Sequence, residues 1–264
     1  MRETRSPWRR AVSVVAWLIL LFLLAPSFVV VPMAFGGKNE LLFPPHGLSL
    51  QLFRAYFTEP GWLDATGLSL RVASWTTLIS LTLGVGAAVA LVRGSFPGRR
   101  LLALFLLSPI MVPVIAIALA LYIYFTRLGI RQGELRLVLG HVVVTMPFVI
   151  VTAAAGLRHV DATLETAATI MGAKYLTVLR RVTLPLLRPS LIAGGLFTFL
   201  ISFDEVVISW FVARVRTVTL PVKMYSSIQW EISPVLAAIS TMLTMLSVAA
   251  CLAIVATQRP EAAR

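Results

Sequence analysis

Six apolar stretches, each of about 20 residues or more, constrain this chain more than anything else in it, because that is the length a helix needs to cross a hydrocarbon core of ~30 Å. They cover residues 11–35, 68–92, 101–125, 135–157, 190–213 and 235–257. Of the 264 residues 58% are hydrophobic and only 13% charged, where a soluble domain carries about 25% charged residues. Most of the charges lie in short intervals between the apolar runs, and the mean hydropathy is +0.90. The expected fold is all-α: a polytopic integral membrane protein of six transmembrane helices, forming one membrane domain over residues 1–264.

The first stretch follows "MRETRSPWRR" and is too long for a signal-peptide core of about 7–15 residues, so it is expected to stay as an anchor. Arg9 and Arg10 lack the surroundings of a twin-arginine export signal. The net charge of +12 does not point to nucleic acid, because the basic residues flank apolar segments rather than gathering on one soluble face with aromatics. Such residues set topology and meet lipid headgroups. With six spans, both termini share a side with the segments near 93–100 and 158–189. That side holds 14 of the 23 Lys and Arg residues, so the positive-inside rule makes both termini cytoplasmic. Segments 36–66 and 214–234 are then external, and "LSLQLFRAYF" in the former reads as a short amphipathic helix lying along the membrane surface.

Nothing in the chain resembles a P-loop, a nucleophile elbow or an H-E-x-x-H zinc motif. Cys251 is the sole cysteine, and His46, His141 and His159 are too scattered for a metal site, so no metal and no catalytic residue is expected. His141, opening the fourth stretch, reads as an interhelical hydrogen-bonding residue.

The fifth stretch contains "LFTFLISFDEVVISWFV" (196–212). A carboxylate near a bilayer centre costs roughly 2.5–3.5 kcal/mol, so Asp204 and Glu205 require compensation. On a continuous helix Thr198, Ser202, Glu205 and Ser209 make one polar stripe, with Asp204 about 100° round from Glu205. Two readings are open. The stripe lines a passage whose carboxylates attract a cationic solute, with Phe203, Trp210 and Phe211 as cation–π faces; or the pair is structural, held by an arginine or by backbone groups of a partner subunit. Pro109 and Pro113 remove two backbone donors within one turn of the third stretch, at the border of a passage or at a packing kink.

The segment 158–189 is rich in helix formers. Within it "LETAATIMGAKYLTVLRRVTLPLLRPS" (164–190) reads as a helix, a break at Gly172, a second helical stretch, and a stop at Pro185 and Pro189. By physics alone it is either a helix lying on the membrane or one whose slim Ala167–Ala168 surface enters another protein's groove.

This segment resembles the cytoplasmic loop of binding-protein-dependent ABC importer permeases: E-A-A, three residues, G, nine residues, I, one residue, L-P. Ala167, Ala168, Gly172, Val182, Leu184 and Pro185 fall in that register. Thr166 stands at the family's glutamate position, and Glu165 lies one residue earlier. The resemblance implies the type I permease fold and a coupling helix at 162–178 that docks into an ATPase subunit. Its coupling residues are Glu165, Thr166, Ala167, Ala168, Gly172, Ala173, Leu184 and Pro185. Arg180 and Arg181 then meet the ATPase or, more simply, headgroups.

"LLSPIMVP", "GHVVVTMPFVIVT", "SFDEVVISWFV" and "LPVKMYSSIQWEISP" look like the second permease of spermidine/putrescine-type importers, except that Ile110 stands where such members tend to carry an acid. The implied partners are a second, different permease, two copies of an ATPase that binds ATP and Mg, a periplasmic solute-binding protein and membrane lipids. This chain itself then needs no cofactor and is not an enzyme. The implied location is a bacterial inner membrane. The expected substrate is a polyamine or related amine, with Glu205, Asp204, Ser202, Thr198, Ser209 and Trp210 on its path. Alternatives are another small solute (an amino acid, amine or aminophosphonate), a proton-coupled carrier using the two acids as a relay, and an intramembrane enzyme, for which adjacent acids pointing apart are poor geometry.

Overall fold

The computed structural model describes residues 7–37, 42–214, 216–230 and 233–257. Among the described residues every regular element is a helix. In chain order these are α1 (Pro7–Met33), α2 (Gln51–Thr58), α3 (Trp62–Arg93), α4 (Arg99–Leu107), α5 (Val114–Arg127), α6 (Gly133–His159), α7 (Ala162–Ile170), α8 (Tyr175–Val178), α9 (Leu184–Leu186), α10 (Arg188–Phe203), α11 (Val207–Val212), α12 (Leu220–Trp230) and α13 (Val235–Thr257). A 3-10 turn, Ser108–Ile110, follows α4, and a π turn, Leu179–Thr183, joins α8 to α9.

Ala11–Met33 of α1, together with α3 and α6, is long and apolar enough to cross a membrane. Two bent pairs add two more if each is a single span: Arg99–Ile110 with α5, at 101°, and Tyr175–Leu186 with α10, at 74°. The first bend lies where Pro109 and Pro113 withdraw their donors, and α5 starts immediately after Pro113. The second lies at Leu187, just before Pro189 in the first turn of α10. Val235–Ala249 in α13 is a shorter apolar helix by the same measure.

The chain divides into two compact units, residues 1–63 with 226–264 and residues 64–225. In the first, α1 and α2 each pack on α13. Most of α1 is both apolar and exposed, as expected of a helix whose solvent is lipid. α2 forms within the amphipathic stretch foreseen, with Leu52, Ala55 and Tyr56 buried by protein and Phe57 exposed.

In the second unit α3, α5, α6 and α11 share a core that includes Val72, Phe125, Leu137, Val142 and Ile208. Gly140 is what lets α6 and α11 meet: a Cβ there would lie 2.9 Å from Cγ2 of Ile208. This close approach brings the next residue, His141, into reach of α10 and α11. α12 was not anticipated in segment 214–234. Its first residue, Leu220, donates its N–H to Ser69 Oγ at 2.8 Å, and Pro221 follows where a helix needs no donor.

One sequence expectation changes here and another is refined. The continuous helix over 190–213 is broken: α10 ends at Phe203 and α11 begins at Val207. The segment 162–178 holds two helices, α7 and α8, parted at the break expected at Gly172, which has φ +87°.

Candidate functional site

The helix break places the two adjacent acids in different surroundings. A helix start leaves its first backbone N–H groups without partners, and its positive end favours an anion. Glu205 meets that need for α11: its Oε1 accepts the N–H of Ile208 at 3.0 Å and its Oε2 the N–H of Ser209 at 2.9 Å. Glu205 is thus held by backbone groups of its own chain, where the structural alternative looks to an arginine or to the partner subunit. The side chain is nearly buried, 3.7 Å from Nε2 of His141.

His141 is fully buried and spans the break. Its Nδ1 is hydrogen-bonded to Ser202 Oγ at 2.8 Å, on α10, and its Nε2 to Ser209 Oγ at 2.9 Å, on α11. One turn along α6, the Thr145 hydroxyl donates to the His141 carbonyl at 2.8 Å and lies 3.0 Å from Ser80 Oγ on α3. A line of hydrogen-bonded groups thus joins α3, α6, α10 and α11. Such bonds in a membrane protein contribute on average about 0.6 kcal/mol each, so they align helices more than they stabilise the fold.

The expected polar stripe is accordingly corrected. Thr198, Ser202 and Ser209 do face one way, but into protein, each at most 3% exposed. Glu205 owes its position to the break and not to helical spacing. Asp204 is the opposite case. It caps the end of α10 through its backbone N–H, which donates to the Leu200 carbonyl at 3.0 Å, while its side chain is exposed and has no ion-pair partner among the described residues. Trp210 is 45% exposed and meets Tyr225 edge-on at 5.4 Å.

The second candidate region is built around α7. Asp161 caps it, its Oδ1 accepting the N–H of Thr163 at 2.8 Å, and that bond holds the carboxyl below the usual carboxylate range. At the other end the N–H of Ala173 reaches the carbonyl of Ala168 and that of Gly172 reaches Thr169, at 3.0 and 2.9 Å. Together with the positive φ of Gly172 this is a Schellman cap. The spacing from Ala168 to Gly172 is therefore first of all a helix-stopping signal, with Ala173 completing it. Beyond α8, the π turn runs into Leu184 and Pro185, and the missing N–H of Pro185 falls where the helix departs from α geometry.

α7 turns two faces in different directions. Ala168 is buried and Glu165 largely so. Thr166 and Ala167 are exposed, as are Leu164, Ile170 and Met171 on α7 and its turn, and Tyr175 and Leu176 on α8. The Thr166 hydroxyl donates only to the Ala162 carbonyl of its own helix, at 3.0 Å. Glu165 pairs inward: Oε2 lies 3.1 Å from Arg93 Nε at the end of α3, and Oε1 accepts the Thr183 hydroxyl at 2.9 Å. In the sequence Arg93 is one more topology-setting charge, and nothing marks Thr183. Neither carries a local signal, because their partners are distant in the chain.

Comparison with known proteins agrees with this architecture. Residues 80–259 match the family model described as "Binding-protein-dependent transport system inner membrane component". The chain is 32% identical over 246 residues to the putrescine transport system permease protein PotI of Escherichia coli (strain K12), covering 90% of this chain and 86% of that protein. It is 31% identical over 229 residues to the spermidine/putrescine transport system permease protein PotC of the same organism, covering 87% and 86%. Its fold resembles a chain of a bacterial ABC transporter involved in importing the acidic polysaccharide alginate, with a TM-score of 0.76 at 15% identity over 98% of this chain and 99% of that one. The chain belongs to the inner-membrane components of binding-protein-dependent transport systems, the permeases of ABC importers.

Proposed function

We propose that this permease carries a polyamine or a closely related amine, with Asp204 as the carboxylate that meets it. The observation that carries the reading is the helix break. There an exposed carboxylate, without an ion-pair partner among the described residues, sits at the C-terminal end of α10, where helix carbonyls concentrate partial negative charge. Broken helices of this kind form solute and ion sites in transporters, and the combination favours an ammonium group. Trp210 adds an exposed aromatic face close by in the chain. The polyamine relatives support the same substrate class. Ile110, exposed at the bend between α4 and α5, leaves one carboxylate fewer than such permeases tend to carry and favours the smaller diamine.

In this reading the chain crosses the membrane six times with both termini in the cytoplasm. It pairs with a second permease, receives solute from a periplasmic binding protein and rests on two ATPase copies that bind ATP and Mg. The exposed Leu164, Ile170, Met171, Tyr175 and Leu176 form the surface that docks onto an ATPase; apolar residues gathered like this mark an interaction site. ATP-dependent uptake of labelled putrescine and spermidine into proteoliposomes holding the whole complex tests the substrate. Uptake lost in Asp204→Asn while ATP hydrolysis persists is the expected result. A wild-type complex that hydrolyses ATP and ignores both amines would remove the amine assignment.

A further inference from the structure

From the contacts around Arg93 we infer that Arg93, Glu165 and Thr183 form a clamp that makes α7 move as one piece with the ends of α3 and α6 and with the π turn leading into α10. The inference rests on the coupling role proposed for α7. Glu165 acts here as a positioning residue, turned away from the docking surface.

The geometry draws four elements onto one ion pair. Nη2 of Arg93 donates to the carbonyls of Leu157 and Val160 at 3.2 and 2.8 Å, taking up acceptors at the end of α6 that have no helical partner. The same guanidinium forms an ion pair with Glu165, Nε lying 3.1 Å from Oε2 without hydrogen-bond geometry, and the other oxygen of Glu165 accepts the Thr183 hydroxyl at 2.9 Å. The two charged side chains are 26% and 19% exposed, so water screens them less than it screens a surface pair. Both sit on the wall of a cleft of about 360 Å³ under α7, with Val89, Tyr175 and Val178.

Without the pair, α7 packs mainly on its own continuation, α8 and the π turn. It would then be free to follow a partner's motion while α3 and α6 stay still. The one-residue shift of the acid from the family's position fits this role. Moving from 166 to 165 rotates a side chain by about 100°, which takes it from the exposed face of α7 to the inward one.

The test needs no transported solute. In the assembled complex in nanodiscs, Cys251→Ser removes the sole native cysteine of this chain, and Val206→Cys places a reporter in the helix break. Its modification rate by a water-soluble thiol reagent is compared with and without ATP plus vanadate. With Glu165 and Thr183 intact, nucleotide trapping is expected to change the rate by at least about fivefold, the lower end of typical couplings between sites. Glu165→Gln and Thr183→Val are each expected to abolish most of that response while ATP hydrolysis continues.

A full nucleotide response in Glu165→Gln overturns the clamp. So does joint loss of response and hydrolysis in an assembled complex, which would make Glu165 an ATPase-docking residue. Where Glu165→Gln fails to assemble, Thr183→Val decides, since it removes one hydroxyl and leaves the ion pair. A wild-type complex that responds to nucleotide but takes up no amine sinks the substrate assignment and leaves the clamp standing. A wild-type complex with no response sinks the coupling role and the clamp together.

Discussion

Adjacent residues of the same charge have been given different work by three residues of non-helical backbone. Glu205 satisfies two N–H groups of α11, whereas Asp204 satisfies none with its side chain. Substitutions at the two positions are therefore expected to separate stability from transport. Glu205→Gln replaces one acceptor oxygen with a donor facing a backbone N–H, and an unsatisfied buried group costs about 1–3 kcal/mol. The thermal midpoint of the purified complex should fall measurably. Asp204→Asn removes a charge from an exposed side chain and should leave stability within about 0.5 kcal/mol, while amine uptake is lost. A midpoint that falls for Asp204→Asn and holds for Glu205→Gln would reverse the assignment of the two roles. His141→Leu breaks two interhelical bonds worth on average about 0.6 kcal/mol each. The variant should still assemble, with α10 and α11 less firmly aligned and amide exchange faster around residues 204–206.

The elements near α7 depend on caps whose chemistry makes two further expectations. At φ +87° Gly172 occupies backbone space that a side chain makes unfavourable by roughly 1–2 kcal/mol. Gly172→Ala should loosen the turn and raise hydrogen exchange at Gly172 and Ala173 without touching α10; unchanged exchange there would rule out the cap as a constraint. Asp161 caps through its ionised form, and its folded pKa lies below the unfolded value of about 3.9. The cap is therefore fully present above the unfolded value and is lost as pH falls through the lower folded one. Protection of the Thr163 amide should hold from neutral pH down to about 4 and fade below it. Asp161→Asn retains an acceptor and should remove that pH dependence.

How much of this was legible depended on whether the signal was local. The apolar stretches and the bend at Pro109 and Pro113 were, because length, hydropathy and missing donors sit in the sequence itself. The stop at Gly172 was legible too. The break after Phe203 was not, since "FDEVVI" holds neither proline nor glycine, and only the carboxylate turning back onto α11 marks it. The partners of Arg93 were hidden for another reason: a contact between chain-distant residues exists only once α3 and α6 have packed.

At the scale of the second unit, several of the basic residues that set the topology come together in space. Arg93 touches Val160 and Glu165, so the end of α3 and the start of α7 share one face of that unit. Gly133 lies against Thr217, so the start of α6 and the segment after α11 come together elsewhere. Arg99, Arg100 and Arg158 line one groove between α3, α4 and α6, beside the former group in the chain. The positive-inside rule counts Lys and Arg and gives little weight to acids, so the pairing of Arg71 with Glu134 at 3.2 Å does not weaken the bias. The rule therefore predicts that the face bearing α7 is cytoplasmic, the side on which ATP is present. A Cys251→Ser chain carrying Phe96→Cys, and a second carrying Leu128→Cys, report this directly. An impermeant thiol reagent applied from the periplasmic side should label position 128 and reach position 96 only after the membrane is opened. The reverse pattern would put α7 where no ATPase can bind it, and the coupling role would fall with the topology, whatever the solute.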